Sequence, residues 1–179
     1  DLQLIQVQEE SINPAVSHKY ILGEQRDKID LIRKVVRGLQ PKRTLVFVHR
    51  GTTAQDLVSK LKYHGLKVLD LHGTRYKLAR QQALEAFRQG QIQVLVASDI
   101  AARGLDIAGV DLVINYDPPS QSRDYVHRAG RTGRGTASGL VITLVTNSQR
   151  SLIKNYVRDL DIAVQEASLQ GGSLVPQDS

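Results

Sequence analysis

The sequence predicts an α/β fold: a single domain with a doubly wound, mostly parallel sheet flanked by helices on both faces. Three observations point there. Short apolar runs alternate with amphipathic stretches along a chain of 179 residues, an ordinary size for one domain. The runs are near-continuously apolar, as expected of strands covered on both faces. Polar and glycine-rich punctuation follows the runs, and open α/β sheets bind ligands beyond the carboxyl ends of their strands.

The elements follow in order. A lead-in, residues 1–16, carries Ile5 and Val7, which suit an edge strand. Tyr20 to Leu22 suits another. Ile29, Ile32, Val35, Val36 and Leu39 recur at helical spacing. Leu45-Val46-Phe47-Val48 reads as the first strong strand, followed by His49-Arg50-Gly51. Leu57, Val58 and Leu61 mark a helix. Val68-Leu69-Asp70-Leu71 reads as a strand, followed by His72-Gly73. Leu84 and Phe87 mark the next helix. Val94-Leu95-Val96-Ala97 is a strand, followed by Ser98-Asp99. Leu112-Val113-Ile114 is another, with Asp117-Pro118-Pro119 behind it. Leu140 to Val145 is the last strong strand, and Ile153, Tyr156, Val157 and Leu160 suggest a final helix. The domain is expected over 17–165. The remainder, 166–179, with Gly171-Gly172-Ser173, reads as a flexible tail.

Composition narrows the function classes. Hydrophobic residues at 41% supply a core, and no apolar run approaches the roughly 20 residues of a membrane-spanning helix. Cysteine is absent, which excludes disulfides and thiolate metal sites and suits an intracellular, reducing setting without separating cytoplasm, nucleus or organelle. Methionine is also absent and the chain opens at Asp1, so it reads as a piece of a longer protein. A net charge of +6 suits a polyanion partner. Aromatics at 4% favour phosphate contacts over base stacking.

Chemistry concentrates in two segments. His127-Arg128-Ala129-Gly130-Arg131-Thr132-Gly133-Arg134 interleaves arginines with glycines. Glycine permits close approach to a phosphate, and arginine offers a permanent charge with forked donors. If a helix begun near Ser122 runs this far, His127, Arg131 and Arg134 share one face. A solvated basic helix end is the plainer alternative. The second segment, Ala97-Ser98-Asp99-Ile100-Ala101-Ala102-Arg103-Gly104-Leu105-Asp106, follows a buried strand. Ser98 and adjacent amides suit a phosphate, and Asp106 suits a ribose hydroxyl. A helix cap at Ser98 or Asp99 with a turn at Gly104 explains the same residues structurally. No G-x-x-x-x-G-K-[ST] phosphate loop occurs, so another domain must hold most of any nucleotide these arginines meet.

Taken together, Arg103-Gly104-Leu105-Asp106, Val113-Ile114-Asn115-Tyr116-Asp117 and Tyr125-Val126-His127-Arg128-x-Gly130-Arg131-Thr132-Gly133-Arg134 resemble motifs V to VI of DEAD-box ATP-dependent RNA helicases. Leu45 to Val48 resembles the start of motif IV. His72-Gly73, with Arg80 and Phe87 behind it, resembles the motif IVa region. The resemblance covers roughly residues 17–162 and implies the C-terminal RecA-like domain of such an enzyme.

It also implies roles. Arg131 and Arg134 would be arginine fingers for the γ-phosphate of ATP on the other RecA-like domain, worth roughly 10³ to 10⁵ in rate. Gly104 and Asp106 would contact the nucleotide, and His127 and Arg128 would link the two domains. Arg50, Gly51, Gly73, Lys77, Arg80, Ser98 and Asp99 would form the RNA surface, touching sugar and phosphate with little sequence preference. Three positions depart from the family: Arg50 where threonine is common, Lys77 where glutamine is, and Ser98 where threonine is usual. The adenine-reading motif, the phosphate loop and the Asp-Glu-Ala-Asp Mg²⁺ site have no counterpart. ATP and Mg²⁺ would therefore sit mainly on an N-terminal domain, and this chain alone would be inactive. No metal site is expected of the chain itself, and its oligomeric state stays open, with a monomer favoured. A non-catalytic RNA- or protein-binding module and a DNA helicase of the same superfamily are the alternatives.

Overall fold

A computed structural model describes residues 12–71, 76–133 and 137–177. Strands β1 (Val16–Leu22), β2 (Thr44–Phe47), β3 (Val68–Asp70), β4 (Val94–Ala97), β5 (Leu112–Asn115), β6 (Gly139–Val145), β7 (Gln165–Gln170) and β8 (Ser173–Pro176) form one sheet in the order β3-β4-β2-β5-β6-β1-β7-β8. Every pairing is parallel except β7 with β8. Among the described residues, six α-helices alternate with the strands: α1 (Lys28–Leu39), α2 (Gly51–Tyr63), α3 (Lys77–Arg88), α4 (Asp99–Ala102), α5 (Ser122–Ala129) and α6 (Arg150–Leu160).

The near-continuous apolar runs are explained by two cores, one on each face. Leu45, Phe47, Leu95, Ala97, Val113 and Val141 face one side, with Phe87 of α3, Tyr125 of α5 and Tyr156 of α6. Val46, Val48, Val94, Val96, Leu112 and Ile114 face the other, with α1 and α2. Successive strand residues point to opposite faces, so a strand buried on both sides must be apolar throughout. The expected doubly wound domain is the observed one.

Two expectations need correction. Residues 166–176 are not a flexible tail but lie in the β7–β8 hairpin. Gly171 and Gly172 have φ of 58° and 81°, as a two-residue turn with both central residues left-handed requires. Ala167 is buried, and Leu169 and Leu174 pack on the α1–α2 core. The burial of these three residues holds the segment. Nor does α5 reach Arg131: it stops at Ala129, with Gly130 as its C-cap. His127 and Arg131 therefore do not share a helical face. The proposed strand at Ile5 and Val7, together with His72-Gly73 and Arg134, lies outside the described residues.

Candidate functional site: an arginine-lined cavity at the carboxyl edge

The site starts from the polar residues that end the strands. Asn115 ends β5, and Asp99 opens α4 just beyond β4. His49 follows β2, and its amide donates to Asp117 Oδ2 at 2.8 Å. One side chain draws these loops together. Arg128, on α5 and 1% exposed, donates from Nε and Nη2 to the two oxygens of Asp99 at 2.9 and 2.8 Å. Its Nη1 donates to Asn115 Oδ1 at 3.2 Å and to the Asp117 carbonyl at 2.7 Å. Its Nη2 also meets His49 Nε2 at 3.1 Å, and the guanidinium lies 5.0 Å from the centre of the Phe47 ring. A guanidinium has five N–H donors, and five contacts are made. Burial opposes charge on Asp99. The Arg128 hydrogen bonds and charge, with His49 and His127 adding theirs, outweigh it and hold the carboxyl below the usual range.

Arg128, expected to link two domains, is enclosed here, and its five donors are engaged within the chain. It is the keystone of the carboxyl edge. Asp99, expected at RNA, is likewise engaged with Arg128. The sequence reading assigned no role to Asn115 or Asp117. The available signal was an asparagine closing an apolar run that reads as a buried strand, where it would need a polar partner.

Arg131 lies two residues past the end of α5 and is half-buried. Its Nη1 donates to the Leu105 and Ile107 carbonyls at 3.0 and 3.3 Å, and Nη2 reaches the Ala102 carbonyl at 3.4 Å. Burial lowers its pKa, while Asp106 and Asp99 nearby raise it. It thus holds the loop 102–107 against the end of α5. Gly104 sits in that loop with φ of 77°, a left-handed backbone that glycine adopts without strain. Asp106 is exposed, and its carbonyl accepts from Arg88 Nη2 at 2.6 Å.

A cavity of about 370 Å³ opens between these groups. Arg131, His127, Gly104 and Arg103 line it, with Arg123 and Asp124 from the first turn of α5. Arg103, Arg123 and Asp124 were not singled out from the sequence. Asp106 does not line the cavity. Its walls are fixed from behind: Tyr125 stacks on Tyr156 with centroids 4.5 Å apart, and its hydroxyl lies 2.7 Å from His18 Nδ1. The Tyr156 hydroxyl donates to the Pro119 carbonyl. Lys28, fully buried, donates to the Tyr116 carbonyl at 2.8 Å and to Gln149 Oε1 at 3.0 Å, and burial pulls it down to about 8.

The other expected residues lie along the same edge. Arg50 and Gly51 stand exposed at the start of α2, and Lys77 at the start of α3. Arg80 Nε is buried without a hydrogen-bond partner among the described residues. Ser98 is a helix cap, its Oγ accepting from the Ala101 amide at 3.1 Å, so the structural reading of Ser98 holds. That bond leaves the hydroxyl proton available. Among the described residues no cluster of acidic groups or histidines could hold a metal ion.

A doubly wound sheet with an arginine-lined cavity at its carboxyl edge defines a RecA-like domain of the helicase class. The helicase conserved C-terminal domain model matches residues 27–136, more than half of the chain. The chain belongs to that family, as a C-terminal RecA-like domain of the DEAD-box RNA helicases. It is 39% identical over 159 residues to the probable ATP-dependent RNA helicase YfmL of Bacillus subtilis, covering 89% of this chain and 42% of that protein. It therefore spans less than half the length of that relative. The C-terminal domain of the DEAD-box protein Dbp5 superposes with a TM-score of 0.79 at 30% identity, covering 85% of this chain and 89% of that one. Saccharomyces cerevisiae Dbp5 bound to RNA and ADP BeF3 matches with a TM-score of 0.77 at 28% identity, covering 87% of this chain and 42% of that one. No helix among the described residues is long and apolar enough to cross a membrane.

Proposed function

We propose that this chain is the C-terminal half of an ATP-dependent RNA helicase. It supplies Arg131, with Arg134, to an ATP held mainly by an N-terminal RecA-like domain, and it is inactive alone. The observation that carries this reading is the cavity itself. It presents guanidinium groups and a glycine loop at the sheet edge, while the sequence has no phosphate loop to fill it from this side. Mg²⁺ would neutralise phosphate charge from the N-terminal domain. The residues of this chain fit the remaining task, which is to meet anionic oxygens.

Arg131 is suited to a switching role. Of its bonds to the loop 102–107, one is of ordinary length at 3.0 Å and two are long at 3.3 and 3.4 Å, and all engage carbonyls that solvent or a neighbouring residue could satisfy. Closure against a nucleotide would exchange these guanidinium–carbonyl bonds for bonds to phosphate, in which the acceptor is charged as well and a forked geometry is available. Domain closure would then assemble the catalytic constellation. Gly104 would let the loop approach the nucleotide, and exposed Asp106 would reach the ribose. Arg50, Lys77, Arg80 and Ser98 would hold RNA by its backbone. Arg80 is the strongest of these, because its Nε is buried and has no hydrogen-bond partner among the described residues. RNA spanning both domains would favour closure and so couple RNA to ATP.

RNA-stimulated ATP hydrolysis tests the reading, first on this chain and then on the two-domain protein containing it. Activity is expected only in the latter. Turnover by the isolated chain would reveal a nucleotide site of its own. RNA binding without turnover in the two-domain protein would favour a binding module instead.

A further inference from the structure

A second basic surface lies on the opposite edge of the sheet, where the loops enter the strands, and shares no side chain with the cavity lining. Backbone bonds join the loops that enter the strands there. The Thr44 amide donates to the Gln93 carbonyl at 2.8 Å, the Gln93 amide to the Lys67 carbonyl at 2.8 Å, and the Asp111 amide to the Arg43 carbonyl at 3.1 Å. These bonds place Lys42, Arg43 and Lys67 along one rim. The C-terminal ends of α1 and α2 join the same rim, because Arg37 Nη2 donates to the His64 carbonyl. Arg37, Lys60 and Lys62 occupy the last turns of those helices.

The rim thus gathers Arg37, Lys42, Arg43, Lys60, Lys62 and Lys67. Asp111 lies beside them, its Oδ2 engaged by the Lys42 and Arg43 amides at 2.7 and 3.4 Å. Cations at helix C-termini complement the helix dipole, and that explains part of the pattern. It does not explain Lys42 and Lys67, which are exposed and lie outside the helices. Nor does it explain Tyr63, which closes α2 at 87% exposure with His64 edge-on at 5.2 Å between ring centroids. An aromatic ring standing in water beside several cations is the combination that holds a nucleotide strand, with phosphates on the cations and a base on the ring.

We infer that this amino-edge rim is a second RNA-contact surface, engaging a single-stranded segment that flanks the one held at the carboxyl edge. The choice of RNA among polyanions rests on the functional reading above, but the surface is separate from the residues that reading uses. Its effect would be to raise affinity and local RNA concentration without touching ATP chemistry.

The test is fluorescence anisotropy of a labelled oligouridine strand binding to this chain across a salt series. Lys60→Glu combined with Lys62→Glu is expected to weaken binding about tenfold or more. It should also flatten the slope of log affinity against log salt by roughly 1.4, the loss of two phosphate contacts to a single strand. Tyr63→Ala is expected to weaken binding about fivefold with the slope unchanged, as loss of stacking should. Tyr63 is exposed, so unchanged thermal melting is expected of Tyr63→Ala, whereas two glutamates in the last turn oppose the helix dipole and should lower melting by a few degrees without unfolding the chain at assay temperature. Arg80→Ala serves as the independent arm for the carboxyl edge. If Arg80→Ala weakens binding while both rim variants match the parent, the rim proposal fails and the functional reading stands. If the rim variants weaken binding and Arg80→Ala does not, the rim stands and the carboxyl-edge RNA assignment fails. A rim serving an acidic protein or an anionic membrane would leave oligouridine affinity unchanged in both rim variants, and that too overturns the proposal.

Discussion

Arg128 and Asp99 form a two-point ion pair, at 2.9 and 2.8 Å, with the arginine 1% exposed and the aspartate side chain 34% exposed. Removing one partner of a buried pair strands the other charge and costs about 3 to 5 kcal/mol. Arg128→Lys keeps the charge but loses the fork, so Asn115, Asp117 and His49 cannot all be reached. Chemical denaturation of this chain should show a loss of about 3 kcal/mol or more for Arg128→Lys. A loss below about 1 kcal/mol would show that the hub is dispensable.

On the proposed function, Arg131→Ala should separate catalysis from binding. In the two-domain protein it should lower kcat by roughly 10³ or more while leaving ATP affinity within a few-fold. The isolated chain should lose only about 1 kcal/mol, because two of the three loop bonds are long and the side chain is half-buried. Equilibrium binding of a non-hydrolysable ATP analogue, measured beside turnover, checks both halves. Lost affinity in a folded variant would remove Arg131 from the finger role.

The parallel core was legible because a strand buried on both faces leaves a run such as Val94 to Ala97, with a helix-spaced stretch on either side. The cavity was legible in part. Arg131 and Gly104 stood out by residue type, since arginine and glycine in loops at a sheet edge have few structural uses. Arg128 carries the same chemistry on the same segment and does a different job, and only its depth separates it from Arg131. Depth depends on how α5 packs against β2, β4 and β5, which lie far away in sequence. The hairpin was missed for a different reason. A Gly-Gly pair suits both a linker and a tight turn, and the decision comes from Leu169 and Leu174 finding the α1–α2 core.

His18 is held neutral in the fold. It is 8% exposed, its Nδ1 lies 2.7 Å from the Tyr125 hydroxyl, and burial lowers its pKa from 6.5 to about 4. The unfolded chain binds a proton below 6.5 and the folded chain does not, so this contribution to stability is intact above pH 6.5. It is lost as pH falls from 6.5 toward 4, reaching about 3 kcal/mol. His18→Phe should flatten the decline of stability across that window, measured by denaturant unfolding at successive pH values. An equally steep decline in the variant would assign the acid sensitivity to other groups.

The β7–β8 hairpin meets α1 backbone to backbone. A Cβ added at Gly38 would run into the Gly172 carbonyl oxygen and its Cα, and both partners are main chain with little room to give. In an isolated helix, Gly38→Ala would be favourable by about 1 kcal/mol. Here the substitution should reverse that sign by lifting the hairpin from α1 and exposing Leu169 and Leu174. Amide hydrogen exchange should accelerate across 165–176 and remain slow in β2, β4 and β5, whose bonds do not pass through the hairpin. Edge strand β8 can be displaced without breaking the parallel core, so ATP turnover in the two-domain protein should change little. Faster exchange spread evenly over the sheet would mean that the hairpin and the core unfold as one unit.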